Sequence, residues 1–112
     1  MATALNDWSK LARGVAVIYE EDIPVKREVK AYSDMLGIDH LYLANEGMAL
    51  LAVEKGKGRE VVEFMKNLGF EDASVIGEMR KGELEGFVLL KTTVGGFRVV
   101  EPASGSIVPR IC

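Results

Sequence analysis

Few side chains in this 112-residue chain could do covalent or metal chemistry. There is one cysteine, Cys112 at the last position, and one histidine, His40. A thiol at the end of an arm is sterically accessible, as nucleophilic or carrier chemistry requires. Its own α-carboxylate is a like charge that discourages thiolate formation, and Arg110 offsets that in part. A chance cysteine in a frayed terminus is, on composition alone, the simpler account. With a single cysteine, an intramolecular disulfide and a cysteine-based zinc cluster are both excluded.

Asn45-Glu46-Gly47 is the second candidate. A carboxylate on a loop between a helix and a buried strand can act as a general base once desolvated. A solvated turn, with Asn and Gly supplying the special dihedrals, accounts for the same residues. Gly56-Lys57-Gly58 and Gly95-Gly96 could cradle phosphate, but neither completes a P-loop or dinucleotide fingerprint. They read better as a helix start and a hairpin turn. His40, alone near a helix end, suits a surface or capping role. Glu20-Glu21-Asp22 suits a solvated strand end, and Trp8 the core.

The elements that must position these residues follow from periodicity. Ala4, Leu5, Trp8, Leu11 and Ala12 recur at helical spacing, with Gly14 as a stop. Gly14 to Tyr19, rich in branched residues, predicts a strand. Pro24 opens a second helix, with Val25, Val29, Tyr32 and Leu36 as its stripe and Gly37 at its end. Met48 to Val53 is a compact apolar run that suits a buried strand. A third helix carries Val61, Met65 and Leu68 on one face, with Gly69 after it. Ala73 to Met79, Phe87 to Thr92 and Phe97 to Val100 predict three more strands, and Lys81 to Gly86 connects the first two. Gly95-Gly96 is expected to close a hairpin between the last two. The order α-β-α-β-α-β-β-β indicates an α/β (α+β) domain, a mixed β-sheet covered by helices.

Residues 1–101 read as that domain and residues 102–112 as a flexible tail. Pro102 to Cys112 has no helical or strand period, and its two prolines keep it extended. Fully extended, these residues reach roughly 35 Å. That is far enough to carry the thiol into another domain's active site or out to a partner.

Composition bounds the function. Apolar residues make up 48% and charged residues 28%, with a formal charge of −3. Both signs are mixed along the chain and no basic patch stands out, which argues against nucleic acid. No apolar run is long enough to span a membrane, and Met1 to Trp8 lacks a signal-peptide pattern. A cytoplasmic protein is expected. These observations describe an α/β domain with a terminal thiol, and they do not name a reaction.

A reaction comes from resemblance. Ala2-Thr3-Ala4-Leu5-Asn6, Ile23-Pro24-Val25 with Glu28-Val29, and Leu36-Gly37-Ile38-Asp39 resemble consecutive segments of one family. So do Leu41-Tyr42-Leu43-Ala44-Asn45-Glu46-Gly47, Ile76-Gly77-Glu78 and the ending Pro109-Arg110-Ile111-Cys112. In this order they resemble the C-terminal part of HypE, the hydrogenase expression/formation family, whose fold is that of aminoimidazole ribonucleotide (AIR) synthase, or PurM. His40 departs from the proline usual there, beside the motif rather than in it.

The resemblance implies a carbamoyl dehydratase. Cys112 would accept a carbamoyl group from the carbamoyltransferase HypF. ATP would then drive its dehydration to a thiocyanate, and the cyanide would pass to iron on the HypC–HypD scaffold for [NiFe]-hydrogenase. Glu46 matches the position of the base, Asn45 would orient it, and Pro109 and Arg110 would support the tail. ATP and magnesium are expected to be bound mostly by an N-terminal domain, which also forms the family's homodimer. This chain would follow that domain, as a truncated piece or a short gene product, and would be inactive alone. The alternative is a non-catalytic assembly domain of the same superfamily fold. A purine-biosynthetic or selenophosphate-type relative is disfavoured by the Pro-Arg-Ile-Cys ending.

Overall fold

The N-terminal helix, α1 (Ala2–Ala12), buries Ala2, Leu5, Asn6 and Ser9. That spacing is the stripe of a helix lying on a core. The helix ends on Arg13, in the left-handed region at φ 51°. The sequence predicts the stop at Gly14. Gly14 is needed instead for close approach: a Cβ there would sit 2.8 Å from the carbonyl oxygen of Arg80. The strand that follows could then not lie against its neighbour.

The computed structural model describes residues 1–37, 39–42, 48–81 and 85–102. β1 (Val15–Tyr19) is central, with four of its five residues buried. β2 (Gly77–Arg80) pairs with it antiparallel and β3 (Phe87–Lys91) parallel, while β4 (Phe97–Val99) runs antiparallel to β3. The strand order is β2-β1-β3-β4. The expected hairpin joins β3 to β4. The Thr92 N–H donates to the Gly96 carbonyl at 2.8 Å, and Gly95 takes φ 93°.

The register places Ala16 beside Val88 and Ile18 beside Leu90. With Ala2, Leu5, Ile23, Leu41 and Val100 these residues form the core under α1. Period-2 alternation sends Val17, Leu89 and Val99 to the other face. Toward its β3–β4 side that face is open: Phe87, Val99 and Phe97 are exposed there.

The mixed α+β class holds, with three corrections. Met48 to Val53 is not a strand, so the order among the described residues is α-β-α-α-β-β-β, broken by two short 3-10 turns (Glu20–Asp22 and His40–Tyr42). A strand exists only as part of a ladder. The edge strands are β2 and β4, this run pairs with neither, and Leu50 alone of it packs against the core. Second, Ala73 to Ile76 runs outside β2, which begins at Gly77. Third, cover of the sheet falls to α1. The second helix, α2 (Arg27–Leu36), starts three residues after Pro24 and buries only Ser33. The third, α3 (Gly58–Asn67), buries nothing fully. Their predicted stripes are real in phase but lie at the surface, with Tyr32, Leu36 and Leu68 exposed.

Candidate functional site

Cys112, Arg110, Pro109, Glu46 and Asn45 all lie outside the described residues. The described chain runs to Tyr42 ahead of Asn45 and to Pro102 ahead of the tail.

The lead-in to Asn45 and Glu46 is the 3-10 turn His40–Tyr42. Asp39 organises it. One carboxylate oxygen, Oδ1, accepts the Leu41 N–H at 3.0 Å, closing an Asx-type turn. The other, Oδ2, pairs with Arg98 Nη2 of β4 at 3.0 Å. Leu41 is 2% exposed and belongs to the core. Downstream, Leu50 packs on the same core. Leu41 and Leu50 thus both pack on one apolar cluster.

The lead-in to Cys112 is β4 and Val100. Val100 is fully buried. Its N–H donates to the Val88 carbonyl at 2.8 Å, and its own carbonyl accepts Asn6 Nδ2 at 3.1 Å. The tail therefore starts from a point fixed to both sheet and helix. Arg98 of β4 lies two residues before Val100, so the Asp39–Arg98 pair brings the two lead-ins together.

The remaining candidates resolve as structure. The His40 imidazole Nδ1 lies 3.4 Å from Asp39 Oδ1, beside the turn. Trp8 is half-buried against the core. Lys57 precedes α3 and its ammonium lies 3.8 Å from Glu60, both exposed, so Gly56-Lys57-Gly58 is a helix start. Glu20–Asp22 is a 3-10 turn after β1, and the Asp22 carbonyl accepts the Ser74 hydroxyl at 2.8 Å. Sequence reasoning missed Asp39, Arg98 and Asn6 as supports. Asp39 carried a local signal, an Asx residue two before a buried Leu. The partners of Arg98 and Asn6 are set by tertiary structure alone.

Among the described residues, no three His, Cys, Asp or Glu side chains are grouped so as to hold a metal ion. The residues described do not fit a magnesium site.

A mixed four-stranded sheet with helices, resting on one core, defines an α+β domain of PurM-like type. Residues 2–89 match the family of AIR synthase related proteins, C-terminal domain, and the chain belongs to that family. It is 38% identical over 114 residues to the carbamoyl dehydratase HypE of Cupriavidus necator and 39% identical over 115 residues to that of Rhizobium leguminosarum. Each match covers the whole chain and 32% of the relative, so the chain spans about a third of the length of the curated relatives it matches. Solved structures agree. Hydrogenase maturation protein HypE superposes with TM-score 0.90 at 30% identity, over 99% of this chain and 36% of that one. HypE in complex with ATP gives 0.86 at 26% identity, over 93% and 33%. A HypE–HypF complex gives 0.83 at 36% identity, over 91% and 33%. Among the described residues, no helix is long and apolar enough to cross a membrane.

Proposed function

We propose that this chain is the carrier portion of a carbamoyl dehydratase, with residues 1–101 as the platform and residues 102–112 as the arm that presents Cys112. The observation that carries the reading is the match to HypE proteins across the whole chain, which takes in the Asn45-Glu46 loop and the terminal thiol alike. The shared anchoring of the two lead-ins supports it, because it starts the base and the carrier from one rigid corner.

In this reading the Cys112 thiolate attacks the carbonyl carbon of an activated carbamoyl group. The donor's leaving group departs and an S–C bond forms. A solved HypE–HypF pair supports a HypF-type carbamoyltransferase as donor. ATP phosphorylates the carboxamide oxygen and leaves as ADP. The nitrogen gives up two protons in all, the C–O bond breaks as phosphate departs, and a thiocyanate remains on the sulfur. Glu46 takes protons from nitrogen and Asn45 orients the amide. Tethering the substrate raises its effective concentration at the base. The S–C bond then breaks with two electrons supplied from the acceptor side, which returns Cys112 as a thiolate and passes cyanide to iron on a HypC–HypD scaffold, in the cytoplasm. ATP binding is seen in a structural relative. We assign most of the ATP contacts, magnesium and the homodimer contacts to the part of such a protein that this chain does not span.

The test supplies this chain, joined to the complementary two-thirds of a relative, with HypF, carbamoyl phosphate and ATP. Mass spectrometry of the C-terminal peptide should show one carbamoyl group gained, then water lost from it. No gain at Cys112 would overturn the reading. It would favour a non-catalytic assembly domain if a Cys112→Ala chain still supported hydrogenase maturation.

A further inference from the structure

The sheet ends at β4, and the outer edge of that strand is bare. The Val100 N–H donates to the Val88 carbonyl and the Thr92 N–H to the Gly96 carbonyl, each at 2.8 Å. Alternation along an antiparallel ladder therefore turns Gly96, Arg98 and Val100 toward β3. It turns the N–H and C=O groups of Phe97 and Val99 outward. Among the described residues, no hydrogen bond reaches those outward groups. All three residues of β4 are exposed. The other sheet edge differs, because Met79 of β2 shares a groove with Trp8, Leu11, Ala12 and Ala52. An open edge is a template for another strand, and proteins usually guard it with a charge or a proline. The one charge on β4 is Arg98. It shares the α1 side of the sheet with its cross-strand partner Leu90, and Asp39 neutralises it there. We propose that β4 is a self-association edge, which pairs antiparallel with β4 of a second copy about a two-fold axis through Arg98.

Register and charge select a second copy as the occupant. Phe97-Arg98-Val99 reads apolar, charged, apolar in both directions. With the axis at Arg98, Phe97 stands opposite Val99 of the second copy, and Val99 opposite Phe97 of the second copy. These are the residues whose main-chain groups face outward, so each pair exchanges N–H and C=O bonds. Their side chains, 63% and 47% exposed in the single chain, meet on the open face as aromatic–branched pairs, a favourable cross-strand combination. The two four-stranded sheets become continuous. On the other face Arg98 stands opposite Arg98 of the second copy, and like charges so placed are unfavourable alone. Each arrives with its own Asp39 at 3.0 Å, so two guanidiniums meet two carboxylates. A foreign strand would have to supply that balance itself. Paired strands of this length bury less than the roughly 1,200 Å² of a stable complex, so the association is weak and concentration-dependent. The proposal rests on nothing in the carrier reading. It is also a separate contact from the homodimer assigned to the part that this chain does not span.

Sedimentation equilibrium of the full chain, from micromolar to millimolar concentration, should show monomer and dimer in exchange. Val99→Pro removes an outward donor and leaves the ladder to β3 in place. It should weaken the dimer by about tenfold or more, because the axis repeats the lost bond in both copies. Phe97→Lys should weaken it comparably while far-UV circular dichroism stays unchanged. In a mixture of chains carrying different isotopes, intermolecular NOE signals should join the Phe97 ring to the Val99 methyls, a readout that needs no variant. A chain that stays monomeric at millimolar concentration would overturn the proposal. So would a dimer that Phe97→Lys abolishes and a folded Val99→Pro leaves intact, since that would assign the contact to the open face and not to the edge. So would intermolecular signals from Trp8 and Met79, which would assign it to the groove between α1 and β2.

Discussion

Arg98 on β4 and Asp39, fifty-nine positions earlier in the chain, form an ion pair with 3.0 Å between Nη2 and Oδ2. The same carboxylate receives the Leu41 amide through its other oxygen. One side chain thus serves as a turn closure and as a tie between the starts of the two segments to which chemistry is assigned. The two roles carry different energies. Arg98 is 45% exposed and Asp39 27%, so the ion pair is screened. Pairs of that kind contribute about 0.2–1 kcal/mol. Arg98→Ala should therefore lower the urea-unfolding free energy by about 0.5 kcal/mol, and added salt should shrink the difference. Asp39→Ala also strips the acceptor from a part-buried N–H and should cost about 1–2 kcal/mol. Equal losses in the two variants would show that the turn closure carries no weight of its own.

Asn6 and Ser9 are both buried polar residues on the inner face of α1, at 3% and 0% exposure, yet they should respond in opposite directions. Asn6 Nδ2 donates to the Ala2 carbonyl at 2.9 Å and to the Val100 carbonyl at 3.1 Å. Asn6→Ala leaves the Val100 carbonyl buried without that donor and should destabilise by about 1–3 kcal/mol. The Ser9 hydroxyl has no hydrogen-bond partner among the described residues. Ser9→Ala removes an uncompensated buried hydroxyl and improves helix propensity, so it should stabilise by about 0.5–1 kcal/mol. Chemical denaturation of both variants under one condition checks the contrast, and destabilisation by Ser9→Ala would point to a partner for that hydroxyl.

Gly77 sits where β2 meets β1. A Cβ there would collide with the Val17 carbonyl oxygen and lie 2.8 Å from Ile18 Cα, both backbone and neither able to move independently. Gly77→Ala should cost about 2–3 kcal/mol, the range of a core insertion that forces backbone shifts. Gly95 has φ +93° with open space around its would-be Cβ. Gly95→Ala meets only the backbone penalty, about 1–2 kcal/mol. The thermal midpoints of the two variants should rank in that order.

The sequence exposes α1, β1, β3 and the β3–β4 hairpin because each is specified by near neighbours. The period of Leu5 and Trp8, the branched run from Val15, and Gly95-Gly96 all act within a few residues. It misleads at Met48 to Val53, where an apolar run reads as a strand although a strand forms only where a partner strand pairs with it. It misleads again on α2 and α3. Periodicity reports that a helix has an apolar face, but not whether anything covers it. The platform under the candidate site was hidden for the same reason. The partners of Asn6 and Arg98 lie ninety-four and fifty-nine positions away, and no local pattern announces them. The candidate chemistry itself came from motif resemblance, since a terminal cysteine and a loop glutamate have ordinary explanations.

The chemical assignment predicts a separation of steps. Cys112→Ser removes the thiol that forms the S–C bond, and the C-terminal peptide should then gain no carbamoyl group at all. Glu46→Gln keeps the thiol and the loop's shape but removes the base. Carbamoylation should proceed at its normal rate, while conversion to thiocyanate should slow by about 10²–10⁴-fold, the usual contribution of a general base. The carbamoylated peptide should therefore accumulate in Glu46→Gln when ATP is present. Asn45→Ala should fall between that variant and the unmodified chain, because it disturbs orientation and leaves the base in place. The measurement is a time course of intact C-terminal peptide mass in the joined protein with HypF, carbamoyl phosphate and ATP. A Glu46→Gln chain that dehydrates at the unmodified rate would remove Glu46 from the mechanism while leaving Cys112 as the carrier. A Cys112→Ser chain that still releases cyanide would remove the carrier itself.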